Sequence, residues 1–284
     1  MEAMRRGDFL AAWRVSDALM QRGSIAPQRG DLPRHLQCVW DGTPVDGRRV
    51  LVRCYHGLGD TLQFVRLLPL LRERAREVVL WTQPALVGLL ATVNGVDRVE
   101  PMHDGEPDIA RDVDVELMEL PYILRLSPDR IPMRVPYLRV DAPQRAKGQG
   151  RRVGLAWRSG EWDPSRSIPD ASLAPLARIG VQWSSLQYGH RPPEFADDLA
   201  TADLVEQARR IAGLDLVISV DTMTAHLAGA LGVPVWTLLP TPCDWRWMEE
   251  RDDTPWYPTM RLFRQRRCGD WDDVIDRVCK ALGA

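Results

Sequence analysis

Residues 216–232 read L-V-I-S-V-D-T-M-T-A-H-L-A-G-A-L-G. The first five form a near-continuous, β-branched run of the kind that makes a buried strand. Asp221 ends the run, Thr222 follows, and a helix begins. The first amides of a helix have no acceptor within it and carry the positive end of its dipole. Those of Thr222, Met223 and Thr224 therefore point out of the helix end, a setting that suits a diphosphate. Asp221, at the strand tip, can accept hydrogen bonds from sugar or ribose hydroxyls. His226, one turn further in, can reach a phosphate oxygen. The same residues also fit a plainer role, with Asp221 or Thr222 as a helix cap and His226 as a half-buried core side chain.

Outward from this junction the chain alternates strands and helices. On the N-terminal side, RRVGLAW (151–157) and VQWSSLQ (181–187) read as strands, with helices over 170–178 and 201–212. On the C-terminal side, strands are expected at 233–239 and 260–265, and a last helix at 270–282. A similar rhythm runs earlier, through strands at 48–54, 78–83 and 96–101, while residues 103–136 give no clear reading. Gln144–Gly150 is a hydrophilic stretch that reads as a linker. Alternation of this kind implies parallel sheets with helices on both faces, and its repetition across the linker implies two of them. Ligands of such sheets lie at the carboxyl ends of the strands. The expected organisation is an amphipathic helix over 2–22 and a linker up to 47, a Rossmann-like domain over 48–147, and a second over 148–284.

Two further segments carry candidate chemistry. Y-H-G-L-G-D-T-L-Q-F (55–64) places Gly57 and Gly59 in a loop that lets a substrate approach the backbone, and Asp60 at a helix start. A carboxylate there can act as a general base, kept ionised by the helix dipole. It is equally placed to cap the helix. R-S-G-E-W-D-P-S-R-S-I-P (158–169) is a polar loop in which Arg158 or Arg166 can neutralise a diphosphate, or simply face solvent. Four of the eleven tryptophans, at 236, 245, 247 and 256, crowd the region before the last strand. They pack against sugar rings or fill the core.

Bulk composition narrows the alternatives. With 37 basic and 39 acidic residues the net charge is −2, which gives no reason to expect a nucleic-acid or anionic membrane partner. Five scattered cysteines, with no C-x-x-C pair, point to free thiols in a reducing compartment, and no metal or cofactor site is indicated. Neither a signal peptide nor a membrane span is legible, so a cytoplasmic location is expected.

Together and in this order, G-L-G-D-T-L-Q-F-V-R-L-L-P-L-L (57–71), V-G-L-A-W (153–157), R-S-I-P (166–169), S-L-Q (185–187) and S-V-D-T-M-T-A-H-L-A-G-A-L-G (219–232) resemble glycosyltransferase family 9. Its best-known members are the ADP-heptose:lipopolysaccharide heptosyltransferases. The D-W-R-W (244–247) and W-Y-P-T-M-R-L-F-R-Q (256–265) stretches look like those of the subgroup found in bacterial tetratricopeptide-repeat proteins. The resemblance implies a glycosyltransferase-B-type α/β fold, two Rossmann-like domains facing across a cleft. It implies an inverting, metal-independent transfer from a nucleotide-diphosphate sugar, with ADP-heptose expected. The acceptor is a hydroxyl of a glycan, a lipid-linked sugar or a protein. Carried over residue by residue, Asp60 is the general base on the Gly57–Gly59 loop. Arg166, Gln187, Asp221, Thr222, Met223, Thr224 and His226 bind the donor. The competing expectation is a protein of the same fold that binds nucleotide sugar without transferring it.

Overall fold

Two parallel β-sheets organise the chain, one of four strands and one of six. They belong to a computed structural model that describes residues 2–22, 32–142, 150–161 and 163–283. The chain divides into a first unit, Met1–Met133 with Tyr137–Arg139, and a second, Arg134–Pro136 with Val140–Ala284. Of the expected linker only Gly150 is among the described residues.

The first unit opens with α1 (Glu2–Arg5) and α2 (Phe9–Gln21). The single helix expected over 2–22 is thus interrupted. Gly7 takes a left-handed φ of 78°, and Asp8 restarts the helix by accepting the Ala11 amide at 2.9 Å. Phe9 and Trp13 are buried, whereas Val15 and Leu19 of the expected apolar stripe are exposed. One 3₁₀ turn, Arg34–Leu36, lies in the segment that follows. Then come β1 (Arg49–Arg53), α3 (Leu58–Phe64), α4 (Leu68–Arg72), β2 (Glu77–Thr82), α5 (Val87–Leu90), β3 (Arg98–Pro101), β4 (Val113–Glu116) and α6 (Leu120–Ile123). The strand order is β3-β2-β1-β4. β4 comes from the stretch that the sequence leaves unread. Its Asp114 takes Arg53 Nε at 2.8 Å, so a charged residue can sit beside a buried strand because its counter-charge comes from the neighbour.

The second unit contains β5 (Arg152–Ala156), β6 (Gln182–Ser185), β7 (Ala196–Asp198), α7 (Leu204–Ala212), β8 (Leu216–Val220), α8 (Met223–Ala230), β9 (Val235–Leu239), β10 (Met260–Arg264) and α9 (Trp271–Gly283). Their order is β10-β9-β8-β5-β6-β7. Two features depart from expectation. Residues Asp170–Arg178 wind as a 3₁₀ run rather than an α-helix, with Pro175 inside it. Proline lacks the amide for an i−4 bond and its ring crowds the carbonyl there. The edge strand β7 was not foreseen, because A-D-D shows neither β-branching nor alternation. The core joins Val153, Leu155, Ile218 and Val220 of the strands to Trp271, Val274, Ile275 and Val278 of α9.

Both sheets share one topological property. In the first, the chain leaves β1 towards β2 and β3, then returns to place β4 on the other side of β1. In the second it runs from β5 to β6 and β7, then returns to place β8 against β5, with Ala156 opposite Ser219. The crevice beyond the carboxyl ends of two such strands is where open α/β sheets bind ligands. That singles out the ends of β1 and β4, and of β5 and β8.

Gly95 tests the packing of the first unit. Its φ is 84°, and a Cβ there would lie 2.5 Å from Pro69 N and 2.6 Å from Leu68 C, both backbone atoms. Gly95→Ala is expected to destabilise by roughly 2–4 kcal/mol, combining strain with overlap. Gly47→Ala, with a φ of 68° but nothing within 4 Å, should cost only the strain, about 1 kcal/mol. Urea midpoints of the two variants check the difference.

Candidate functional site

At the carboxyl end of β8 the expected junction forms. Thr222 is extended (φ −152°, ψ 174°) and α8 starts at Met223. Thr222 and Met223 are partly exposed and Thr224 is buried. The amides that open α8 therefore lie at the end of the sheet where the topology switches.

The loop that leaves β5 comes to the same place. Gln187 pins its start, since Gln187 Oε1 accepts the amides of Trp157 at 3.1 Å and Arg158 at 2.9 Å. Ser167 Oγ accepts the Ser159 amide at 3.0 Å and closes the loop on itself. Arg166 at its end donates from NH1 to the Asp221 carbonyl at 3.0 Å. Its side chain remains 24% exposed. The guanidinium thus sits beside the residue before the Thr222 cap, where its charge, partly answered by the carboxylates of Asp163 at 3.6 Å and Asp221 at 3.9 Å, adds to the partial charge of the helix end. The other candidate of this loop, Arg158, pairs with Asp170 at 2.8 Å.

Asp221 and His226 are turned inward, at 5% and 2% exposure. Asp221 Oδ2 accepts Trp247 Nε1–H at 2.8 Å, and its Oδ1 faces His226 Nε2 at 3.6 Å. His226 Nδ1 meets the Tyr257 hydroxyl at 3.0 Å, and its ring stacks on Trp247 with centroids 5.5 Å apart and planes 19° from parallel. Burial pushes the Asp221 carboxyl up. The facing imidazole of His226, the charge of Arg246 and the Trp247 N–H outweigh burial and hold it down at about 2. Both side chains are engaged inside the protein, a different setting from the open contacts with hydroxyls and phosphate that the sequence suggests.

In the first unit, the ends of β1 and β4 carry the second candidate set. Asp60 occupies the first turn of α3, and its Oδ2 accepts the Gly57 amide at 3.0 Å. A Cβ on Gly57 would lie 3.1 Å from that oxygen, so the glycine permits the close approach. The capping role of Asp60 is thus present, and the residue stays partly exposed. Sequence reasoning missed the neighbouring pair. The buried Glu116, last residue of β4, meets His56 Nδ1 at 3.0 Å and accepts the Tyr55 amide at 3.1 Å. Gln83 Nε2 holds the His56 carbonyl at 2.6 Å. The sequence holds no signal for this pair, because the stretch that forms β4 gives no clear reading and His56 stands only as a neighbour of the glycine loop. Among the described residues no three His, Cys, Asp or Glu side chains gather to hold a metal ion, and no helix is long and apolar enough to cross a membrane.

No family model matches the chain. Protein FlbA of Caulobacter vibrioides is 27% identical over 337 aligned residues, which take in 99% of this chain and 54% of FlbA. The chain thus spans about half the length of that curated relative. Among solved structures, the iron-containing dodecameric glycosyltransferase TibC of enterotoxigenic Escherichia coli superposes with a TM-score of 0.60 at 19% identity, over 82% of this chain and 67% of TibC. The E. coli heptosyltransferase WaaC gives 0.56 at 14% identity, over 82% and 99%. A family 9 glycosyl transferase of Veillonella parvula gives 0.54 at 12%, over 85% and 90%. The chain has the heptosyltransferase fold. Within that fold, each parallel sheet carries its candidate residues at its own switch point.

The low value for Asp221 sets a pH dependence. A carboxyl held at about 2 in the folded chain, against an ordinary 3.8, stabilises the fold above 3.8, and this contribution is lost as pH falls towards 2. Its size is roughly 2 kcal/mol. The stability gap between wild type and Asp221→Asn, measured by urea unfolding, should shrink as pH falls below about 4.

Proposed function

We propose that this chain is an inverting glycosyltransferase. It moves a sugar, heptose, from a nucleotide-diphosphate donor, ADP-linked, to a hydroxyl of a glycan, a lipid-linked sugar or a protein. The observation that carries this reading is the Arg166 guanidinium fixed on the Asp221 carbonyl beside the start of α8. Breaking the bond between a sugar's anomeric carbon and a diphosphate leaves negative charge on the diphosphate. Preorganised donors aimed at that growing charge lower the barrier most. In this reading Arg166 and the amides of Thr222, Met223 and Thr224 take the diphosphate. Gln187, Asp221 and His226 shape the donor site around them. WaaC has been solved with ADP-2-deoxy-2-fluoro heptose, and TibC with ADP-D-beta-D-heptose, ligands of the class proposed here.

Asp60 takes the proton of the incoming acceptor hydroxyl. That oxygen attacks the anomeric carbon from the face opposite the diphosphate, which inverts the centre and releases the nucleoside diphosphate. The Gly57–Gly59 loop leaves room for the acceptor near Asp60.

One observation favours a second reading. Asp60 already accepts the Gly57 amide, and a carboxylate used as a helix cap needs no further role. The chain would then bind a nucleotide sugar without transferring it.

Two substitutions test these roles. Arg166→Ala should weaken ADP binding by about ten- to a hundredfold, as expected for a charge-assisted hydrogen bond, and leave adenosine binding within about twofold. Titration calorimetry with both ligands reads this, and equal losses would remove the diphosphate role. Asp60→Asn should keep donor affinity, because the asparagine side-chain oxygen can still accept the Gly57 amide, while transfer to a competent acceptor falls by about a hundredfold or more. A variant that transfers at the wild-type rate would leave Asp60 as a cap only. A wild type that binds donor and transfers to no acceptor would establish the second reading.

A further inference from the structure

Helix α8 contains a glycine where its sequence is otherwise rich in good helix formers. A residue without a side chain disfavours a helix interior, so its presence at 229 calls for a local reason. The ring of Tyr257 supplies one. A Cβ on Gly229 would lie 2.5 Å from Tyr257 Cδ1, 2.8 Å from Cε1 and 2.9 Å from Cγ. Tyr257 is fully buried, so its ring has no open space to swing into. It lies in a notch that only glycine leaves in the helix surface.

From that seat its hydroxyl reaches His226, three residues earlier and on the same helix face. A chain of contacts leads on from there. The other ring nitrogen of His226, Nε2, faces Asp221 Oδ1 at 3.6 Å. Trp247 Nε1–H holds the other carboxylate oxygen at 2.8 Å and its ring lies along the imidazole. With Trp247 on one carboxylate oxygen and His226 facing the other, Asp221 presents its carbonyl to Arg166 at 3.0 Å and its carboxylate at 3.9 Å. Tyr257, Trp247, His226 and Asp221 are all nearly or fully buried. In this set Arg166 is the side chain that reaches the surface.

We propose that Tyr257, seated against Gly229, is a positioning residue for the donor diphosphate, acting through His226 and Asp221 to hold Arg166 beside the start of α8. This rests on the proposed role of Arg166 and α8 in taking the diphosphate. It gives Tyr257 and Trp247 a function, and it makes Asp221 and His226 supports of the site.

A double-mutant cycle with ADP as the probe tests the assignment. ADP affinity is measured by titration calorimetry for wild type, Tyr257→Phe, Arg166→Ala and the double variant, with melting temperatures alongside. Tyr257→Phe should weaken ADP binding by about fivefold in the wild-type background and by less than about twofold when Arg166 is already alanine, the coupling expected of residues in one network. Gly229→Ala, which displaces the ring by a different route, should lower ADP affinity in the same Arg166-dependent way. A purely structural role predicts equal losses in both backgrounds, and either equal losses or no loss would overturn the proposal while leaving the donor site in place. A folded wild type that fails to bind ADP would overturn the donor reading, and the positioning role with it.

Discussion

An ionised carboxylate inside a protein has to be answered on both oxygens, and the second unit is arranged around that requirement at Asp221. Its partners come from separate parts of the chain: Trp247 from the loop after β9, His226 from α8, and Arg166 on its carbonyl from the loop after β5. Removing one member leaves a buried polar group without its partner, which costs more than the pair contributes when intact. The same group therefore ties three segments together and sets where the exposed positive charge lies.

The first unit solves a related problem at its own switch point. Glu116 is buried at the end of β4, and its charge is met by two backbone amides, those of Tyr55 and Met118, and by the His56 ring. The effect there is on the backbone. It fixes the chain leaving β1 just before Gly57, so that α3 starts with Asp60 partly exposed. In each sheet a buried acid and a histidine lie at the strand end, with the proposed reactive or binding group one step nearer the surface.

Much of this was legible in the sequence where the cause is local. The strand and helix of 216–232 follow from β-branched residues, an Asp-Thr break and helix formers in sequence. The loop at 57–60 follows from its glycines. The break in the first helix also has a local cause, since Gly7-Asp8 pairs a stop with a cap, a signal that apolar spacing alone does not include. What escaped was set by distant partners. β4 holds an aspartate answered by Arg53 of the neighbouring strand as well as by Arg111, and β7 is held at an edge by pairing rather than by composition. The contact of Arg166 with the Asp221 carbonyl joins residues 55 positions apart. The spacing gave only a polar loop. Its assignment to the donor came from family resemblance. Trp247 is one of the crowded tryptophans, and the expectation that such residues fill a core is met by it; Tyr257, which the sequence offers only inside the 256–265 stretch, is buried as well. Their polar atoms also bond to the two side chains that the sequence had singled out.

The Gly229 notch also restricts how this sequence can drift. A side chain at 229 and an aromatic ring at 257 cannot occupy the same space, so position 229 is not free to gain a side chain while the ring remains. Homologues that keep a tyrosine at the second should keep glycine at the first. Those that carry alanine there should have lost the ring and, with it, the need for a hydrogen-bonding residue at 226. The two sites, 28 positions apart in the chain, are expected to vary together.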